Sequence, residues 1–215
     1  MIIRYQGHSF FTITTKDGTV IATDPYHDFY NYPQRNIHAD ICTVSHHHSD
    51  HDGVQSIAGT PLVIDTLGNH PTHSGVHIIG IPTKHDDENG TLRGDNIFFV
   101  IEADGMRIGH AGDLGHMLTS EQLKSIGALD VLLLPVGGYY TIDAKVANDV
   151  RNHLKPHITI PMHYKTEYNP DMPIASLAEC LSGMNEDPQH MPLLRIVRED
   201  LKERPNMIVL IPTLP

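Results

Sequence analysis

Cysteine is nearly absent from the sequence: only Cys42 and Cys180 occur among its 215 residues. Two cysteines exclude a disulfide framework as the basis of the fold, and Cys42, inside the apolar run 41–44, is typical of a buried core thiol. Long apolar runs are also missing, since none approaches the roughly 18 residues that a membrane span needs. The first six residues lack the basic, apolar and small-residue sections of a signal peptide. We therefore expect a cytoplasmic protein with no membrane partner.

Positive charge is scarce as well. The 15 Lys and Arg residues are outnumbered by 26 Asp and Glu residues, which gives a formal net charge of −11. This balance repels phosphate backbones, so nucleic acid is a poor default partner. A bound cluster of divalent cations would offset part of the charge locally and could attract a small, anionic substrate. The sequence is also compatible with a homo-oligomer.

Two hairpins of the same design are predicted. In each, an Asp-Gly pair joins two apolar, β-branched or aromatic runs, which is a strong signal for a two-residue turn. Each second strand leads shortly afterwards to an aspartate, Asp24 or Asp113. The repetition suggests an internal duplication. The predicted hairpin strands are residues 10–15, 19–23, 97–103 and 106–110.

Helices are predicted mostly in the second half of the chain. Thr119 and Gln122 have capping-box spacing, and Gly127 stands where that helix would end. A second helix is indicated by an apolar residue at every fourth position. Its face consists of Ile142, Val146, Val150 and Leu154. Further strands are predicted at 41–44, 76–82, 131–134 and 158–160. Alternating strands and helices imply an α/β layered fold, and because no Pro/Gly/Ser linker divides the chain we expect one domain, 1–215.

The segment that indicates chemistry is Ser45-His46-His47-His48-Ser49-Asp50-His51, which contains the pattern H-x-H-x-D-H directly after a predicted buried strand. In an extended backbone, His46 and His48 point to the same side. Asp50 and His51 follow where the chain turns toward Gly53. Imidazole and carboxylate groups bind divalent metal ions, and a turn at a strand end lets all four converge.

One such segment cannot complete two coordination spheres, so further ligands must come from distant loops. Candidates that follow apolar runs are His85, Asp113 and His163. A layered α/β fold places active-site groups at such strand ends. A lone histidine is more often a polar loop residue than a ligand, and we interpret His70, His73 and His77 as surface or loop histidines. The complete motif, combined with remote His and Asp residues, favours a metal site.

With these residues, the chain is similar to a known protein family. It resembles the metallo-β-lactamase superfamily, in particular the small Zn-dependent hydrolase branch that includes ascorbate-6-phosphate lactonase-like proteins. The resemblance covers nearly the whole length, and H-x-H-x-D-H is its specific element. The supporting segments are Gly7-His8-Ser9, Asp24-Pro25, Gly109-His110-Ala111-Gly112-Asp113 and Pro161-Met162-His163-Tyr164.

The resemblance implies a four-layer αβ/βα sandwich with two metal ions, most often Zn²⁺, although Mn²⁺, Fe²⁺ or Ni²⁺ would suit the same ligands. By this resemblance, Asp113 would bridge the ions and Asp24 would orient a ligand histidine from below. The first ion would be held by His46, His48 and His85, and the second by Asp50, His51 and His163. His110 is the rival to His85, but it shares a strand face with core residues, which favours His85.

The expected function is hydrolysis of a small ester, lactone or phosphoester by a metal-bound hydroxide. Asp50 or His110 would move the proton to the leaving group. Three alternatives stay open. A nuclease or phosphodiesterase of the same fold is opposed by the acidic charge, and a di-iron redox protein by the absence of room for a flavin domain. A non-catalytic metal-binding protein would be favoured by the loss of a ligand, but all seven candidates are present. The substrate-contact candidates are Lys84, Arg93, Tyr139, Tyr140, Tyr164 and Lys165.

Overall fold

The computed structural model describes residues 1–33, 36–72 and 74–212, so that His73 lies outside the described residues. The strands in chain order are β1 Ile2–Gly7, β2 Phe10–Thr14, β3 Val20–Thr23, β4 Ile37–His38, β5 Ile41–Thr43, β6 Ile57–Ala58, β7 Leu62–Ile64, β8 Gly68–Pro71, β9 His77–Lys84, β10 Asp95–Ala103, β11 Met106–His110, β12 Val131–Pro135, β13 Ile158–Met162, β14 Gln189–Met191, β15 Leu194–Arg195 and β16 Ile208–Leu210. The helices are α1 Ser120–Ile126, α2 Ala144–Leu154 and α3 Leu177–Met184, with short 3-10 helices at Val54–Ser56 and Arg198–Glu203.

Two six-stranded sheets form the body of the protein. Their strand orders are β15-β1-β2-β3-β5-β7 and β13-β12-β11-β10-β9-β8. Apolar side chains from both sheets join one buried cluster, with Phe11 and Ile21 from the first sheet and Phe99 and Ile108 from the second. The period-2 alternation of a strand explains this arrangement, because every second side chain of each sheet points into the shared core.

Both sheets repeat one topology. In the first, β1, β2 and β3 are antiparallel neighbours, and β5 and β7 then add in parallel. In the second, β9, β10 and β11 are antiparallel, and β12 and β13 add in parallel. The tips of the two predicted hairpins also touch, since the backbone N–H of Lys16 donates to Asp104 Oδ2 over 2.9 Å. The predicted repetition of the hairpins is therefore part of a larger repetition of the sheets.

The α-helices cover the second sheet. Helix α1 packs against β9, and α2 packs against β12 and α3. The predicted capping box of α1 is present, with Thr119 and Gln122 as its two members, and Gly127 ends the helix at φ 67°. The helix predicted from the spacing 142–154 begins later than its apolar pattern, because Asp143 caps its first turn by accepting from Val146 N. Ile142 is buried ahead of that cap.

The outer face of the first sheet is covered differently. Phe10, Ala22 and Cys42 point away from the central core and pack against Tyr26 and Tyr32 of the long loop after β3. Cys42 is thus buried and unpaired, as predicted. Throughout the described ranges, we find no helix with the length and apolar character needed to cross a membrane.

Several predicted strand limits shift slightly. Strand β9 continues to Lys84 because its last two residues pair with Asp95 and Asn96 of β10. His70 and His77 lie in strands, and His77 is held near Glu102 rather than in a loop. Helix α3 was not predicted, although Ser176 and Glu179 form a capping box at its start. The pair has the same spacing as the capping box of α1 and is the sequence signal for this helix.

Candidate metal centre

Five strand ends meet at one edge of the two sheets. Asp24 follows β3, the segment 46–51 follows β5, and His85 follows β9. Asp113 and His163, like His85, come from the second sheet. Asp113 lies three residues beyond β11, and His163 follows β13 directly. Since strand ends of both sheets converge here, side chains that are far apart in the sequence are brought together.

Three histidines form the first group. Their ring centroids lie 4.6 Å apart for His46 and His48, 4.7 Å for His46 and His85, and 5.0 Å for His48 and His85. One nitrogen of each ring lies within 4.8 Å of the others. His47, between the first two, points outward and its Nδ1 is 2.7 Å from Asp52 Oδ2. The rings of His46 and His48 thus face each other and that of His47 does not, as predicted, although the backbone bends at residues 45–46 instead of continuing as a strand.

The second group contains Asp50, His51, His163 and one residue that the sequence argument did not count as a ligand, His8. The ring centroids of His8 and His163 are 4.1 Å apart, and His8 Nε2 is 3.1 Å from Asp50 Oδ2. His8 is fully buried and has a φ of 55°. Its position directly after β1, in the segment Gly7-His8-Ser9, was the available signal.

Asp113 lies between the two groups. Its Oδ2 is 3.2 Å from His85 Nε2, 3.3 Å from His163 Nε2 and 3.9 Å from His46 Nε2. Its Oδ1 is 3.2 Å from His51 Nε2. One carboxylate thus faces histidines of both groups, which is the position that a bridging ligand would occupy.

The donor set fits divalent metal ions. Among the described residues, the Nε2 atoms of His46, His51 and His163 and Oδ1 of Asp113 are buried and have no hydrogen-bond partner. Buried polar atoms are rarely left unpaired, because each costs about 1–3 kcal/mol. These four atoms lie close together without hydrogen-bond geometry, as expected of groups that face a common cation.

A buried network beneath the site fixes two rings. Asp24 Oδ2 is 2.9 Å from His51 Nδ1 and accepts from Ser45 Oγ over 2.5 Å, while Asp24 Oδ1 accepts from Ser45 N. Ser45 Oγ is in turn 3.0 Å from His46 Nδ1. We assign protons to both Nδ1 atoms from this network, which leaves both Nε2 lone pairs toward the site. Ser45 therefore supports two of the candidate ligands.

Asp113 has its own support. Its backbone N–H donates to Asn96 Oδ1 over 2.9 Å, and Asn96 Nδ2 donates to Thr83 and Ala111. Gly112 must be small here, because a Cβ on it would lie 2.4 Å from Asn96 Oδ1 and its φ is 55°. Sequence reasoning missed Asn96, since a buried amide in a strand has no local signature.

His110 lies under the site rather than in it. Its Nε2 donates to Ser9 O over 2.9 Å, and its Nδ1 accepts from Gly112 N over 3.2 Å. Both ring nitrogens are therefore engaged by backbone, and the ring has no exposed surface. His85 instead has Nε2 directed at Asp113. The structure thus places His85, not His110, among the candidate ligands.

Burial and charge oppose each other in this site. Burial lowers the pKa of His46 to about 3 and that of His8 to about 4, so both rings are neutral at pH 7. For Asp113, burial would raise the pKa, but His163 and His51 hold it well below its usual range. Burial would likewise lower the pKa of His51, and the carboxylates of Asp113 and Asp50 raise it instead. Without a metal ion the carboxylates thus favour a protonated His51, and a metal ion at its Nε2 would take the place of that proton.

The site opens into a cleft of about 350 Å³ that is lined by His48, Asp50, His85, Asp113 and other residues. A larger groove of about 550 Å³ lies beside α1, but none of the candidate ligands lines it. The chemistry therefore belongs to the smaller cleft. Tyr164, a predicted substrate contact, is buried in the core and cannot reach the cleft.

Comparison with known proteins agrees with this geometry. Residues 2–163 match the profile of the β-lactamase superfamily domain. The chain belongs to this superfamily. A UPF0173 metal-dependent hydrolase from Thermococcus onnurineus is 31% identical over 191 residues, which span 76% of this chain and 84% of the relative. Another, from Pelotomaculum thermopropionicum, is 32% identical over 196 residues, which span 77% of this chain and 85% of the relative.

A solved structure of the superfamily gives the same result for the fold. A proposed Zn-dependent hydrolase from Thermotoga maritima shares 34% identity and a TM-score of 0.80, covering 97% of each chain. The predicted α/β metallo-β-lactamase sandwich is confirmed. Like its relatives in the superfamily, the protein is a metal-dependent hydrolase.

Proposed function

We propose that the protein hydrolyses a small ester, lactone or phosphoester at a site for two divalent ions. The observation that carries this proposal is the set of buried, unpartnered donor atoms around Asp113. Imidazole-rich donor sets suit Zn²⁺ best, and Mn²⁺, Fe²⁺ or Ni²⁺ are compatible. The first ion would be held by His46, His48 and His85, and the second by Asp50, His51 and His163, with Asp113 shared.

When bound, such ions make water nucleophilic near neutral pH and polarise a carbonyl or phosphoryl oxygen. The residues around the ions would position the reacting groups and move protons. Asp50 lines the cleft with its side chain 20% exposed, and His8 Nε2 lies at hydrogen-bonding distance from its Oδ2. We assign the proton transfer to the leaving group to Asp50. His110 acts through position instead, because it connects the backbones of Ser9 and Gly112.

We also propose a cytoplasmic enzyme with a small-molecule substrate. Its net charge of −11 and the single arginine in the cleft disfavour nucleic acid. Tight binding of single-stranded RNA at low salt would instead support a nuclease.

The test compares two neighbouring histidines. Elemental analysis of the purified protein should approach two metal equivalents per chain, and a panel of ester, lactone, thioester and phosphodiester substrates should yield an activity that chelator abolishes and metal restores. His48→Ala should lose about one equivalent. His47→Ala is the matched control, since its ring points outward. A wild-type protein that binds no metal from any of the four ions would refute the proposal. Two bound ions without activity on the panel would favour a non-catalytic metal-binding protein.

A further inference from the structure

The mouth of the cleft carries one cation. Arg93 is the only Lys or Arg among the residues that line the cleft, and it also lines two adjoining hollows on either side. The side chain is half-buried. Its place beside His48, His85 and Asp113 puts a guanidinium next to the proposed reaction centre without making it a metal ligand.

The loop that carries Arg93 is held in place by Asp86. Each oxygen of this buried carboxylate accepts hydrogen bonds from two backbone N–H groups. Oδ1 accepts from Glu88 and Gly90, and Oδ2 accepts from Leu92 and Arg93. The four distances lie between 2.7 and 3.0 Å. The backbone of Arg93 is therefore fixed by a residue adjacent to the candidate ligand His85.

The guanidinium itself is available. Its carbon lies 5.5 Å from the centroid of the Tyr140 ring, a cation–π arrangement. Lys84, Arg107 and Arg151 each pair with a carboxylate, whereas within the described ranges Arg93 pairs with none. The Arg93 guanidinium can therefore bind an anionic group of a substrate in the cleft.

The remaining wall of the cleft is largely apolar. Phe29, Tyr30, Tyr140 and Met172 line it, and the Phe29 ring lies 4.5 Å from the ring of His8. Tyr30 is 48% exposed, so the wall extends to the surface. An aryl or alkyl group would bury against this wall, and a planar guanidinium binds a carboxylate through two parallel hydrogen bonds.

Building on the function proposed above, we propose that the substrate carries a carboxylate, which Arg93 binds, and an apolar group, which lies against Phe29, Tyr140 and Met172. A carboxylate fits better than a phosphate monoester. One guanidinium neutralises one charge, and the carboxylates of Asp86, Asp87 and Asp143 lie around the adjoining hollow. A dianion would meet more repulsion there than a monoanion.

Binding to the zinc-loaded protein tests this inference without turnover. Isothermal titration calorimetry with 4-hydroxybenzoate and with its neutral methyl ester should show a preference for the acid of roughly tenfold or more. Arg93→Met should abolish the preference, while Arg93→Lys should retain part of it. Lys124→Met is the matched control, because it removes an exposed charge on α1 that does not line the cleft. Metal content and melting temperature establish that each variant is folded and loaded.

An equal affinity of wild type for the two probes would overturn the inference. So would an acid preference that survives in Arg93→Met, since the carboxylate would then bind elsewhere, for example at the metals. Phenyl phosphate that binds more tightly than 4-hydroxybenzoate and depends on Arg93 would overturn the choice of carboxylate. Hydrolysis of 4-acetoxybenzoate to 4-hydroxybenzoate and acetate is followed separately. Failure of that reaction counts against ester hydrolysis and leaves the binding result to decide the role of Arg93.

Discussion

At the residue scale, Asp24 fixes the ring orientation and the Nδ1 proton of one histidine in each group of candidate ligands. It contacts His51 Nδ1 directly at 2.9 Å and reaches His46 Nδ1 through the hydroxyl of Ser45. Burial would raise the pKa of this carboxyl, but the rings of His110 and His51 keep it below its usual value. An ionised Asp24 can only accept hydrogen bonds, so it holds both Nδ1 protons in place. Both rings then present a lone pair on the same side.

His85 and His110 show how geometry separates a ligand from its support. We expect His85→Ala to lose the first metal ion, because His85 Nε2 faces Asp113 and is the third histidine of the first group. His110→Ala should keep both ions and change the activity, because its nitrogens bond to the backbones of Ser9 and Gly112 and not to a metal site. Metal content by mass spectrometry of the intact native protein checks both variants. Full metal content in His85→Ala together with a loss in His110→Ala would reverse the assignment.

The candidate ligands could be predicted from the sequence because each follows an apolar run that ends in a polar loop. His46 and His48 also have the local spacing that places them on one side. Asn96 and Ser45 could not be predicted in the same way, since their roles depend on partners 17 and 21 residues away. His8 has a signal, its place after a strand, but that signal is shared by many polar residues.

At the element scale, the loop 85–94 is organised by a single side chain. Asp86 accepts four backbone N–H groups and so replaces the hydrogen bonds that a helix or strand would provide. Burial alone would raise the pKa of Asp86, yet these four donors lower it. The role of Asp86 could not be predicted, because nothing in the run Asp86-Asp87-Glu88 shows which carboxylate turns inward.

Asp86→Asn should loosen this loop without unfolding the protein. An amide has one accepting oxygen, so at least one pair of loop N–H groups loses its partner. We expect faster hydrogen exchange at 88–93 and weaker metal binding through His85, by about tenfold or more, the scale seen when a ligand's support is removed. Asp87→Asn is the control, because Asp87 is exposed. Equal exchange in the two variants would show that Asp86 does not organise the loop.

At the scale of the whole molecule, the two sheets are copies of one plan. The order β1-β2-β3-β5-β7 matches β9-β10-β11-β12-β13 in both sequence and direction of pairing. Asp24 and Asp113 follow the equivalent strands β3 and β11, and they approach opposite nitrogens of His51 at 2.9 and 3.2 Å. The hairpin signal in the sequence predicted this repetition, although the parallel strands that complete it had no such signature.

The same correspondence gives His8 a counterpart. His8 follows β1 as His85 follows β9, and each lies in one of the two groups of candidate ligands. We expect His8→Ala to weaken the binding of the second ion by about tenfold or more while the first ion stays bound. Stepwise removal of zinc with a chromophoric chelator resolves the two affinities, and His110→Ala, an equally buried change, is the control. Unchanged affinities in His8→Ala would show that the correspondence is structural only.

Metal binding should stabilise the packing of the two sheets against each other. Candidate ligands from the first sheet, at 46–51, meet His85, Asp113 and His163 from the second, so the complete site exists only when both sheets are folded and packed. An ion that binds only the folded protein adds about 4 kcal/mol of stability at a concentration 1,000 times its Kd. For a chain of this length, about 2–4 °C of melting temperature corresponds to each kcal/mol, so chelation should lower Tm by roughly 8–16 °C for each ion bound at that concentration.

Differential scanning calorimetry with zinc and with excess EDTA measures this difference. The double variant His46→Ala/His163→Ala, which lacks one candidate ligand of each group, should melt at the same temperature in both conditions. That comparison separates the loss of specific ions from any general effect of the chelator. A wild-type Tm that does not depend on zinc would mean that the ions do not connect the sheets.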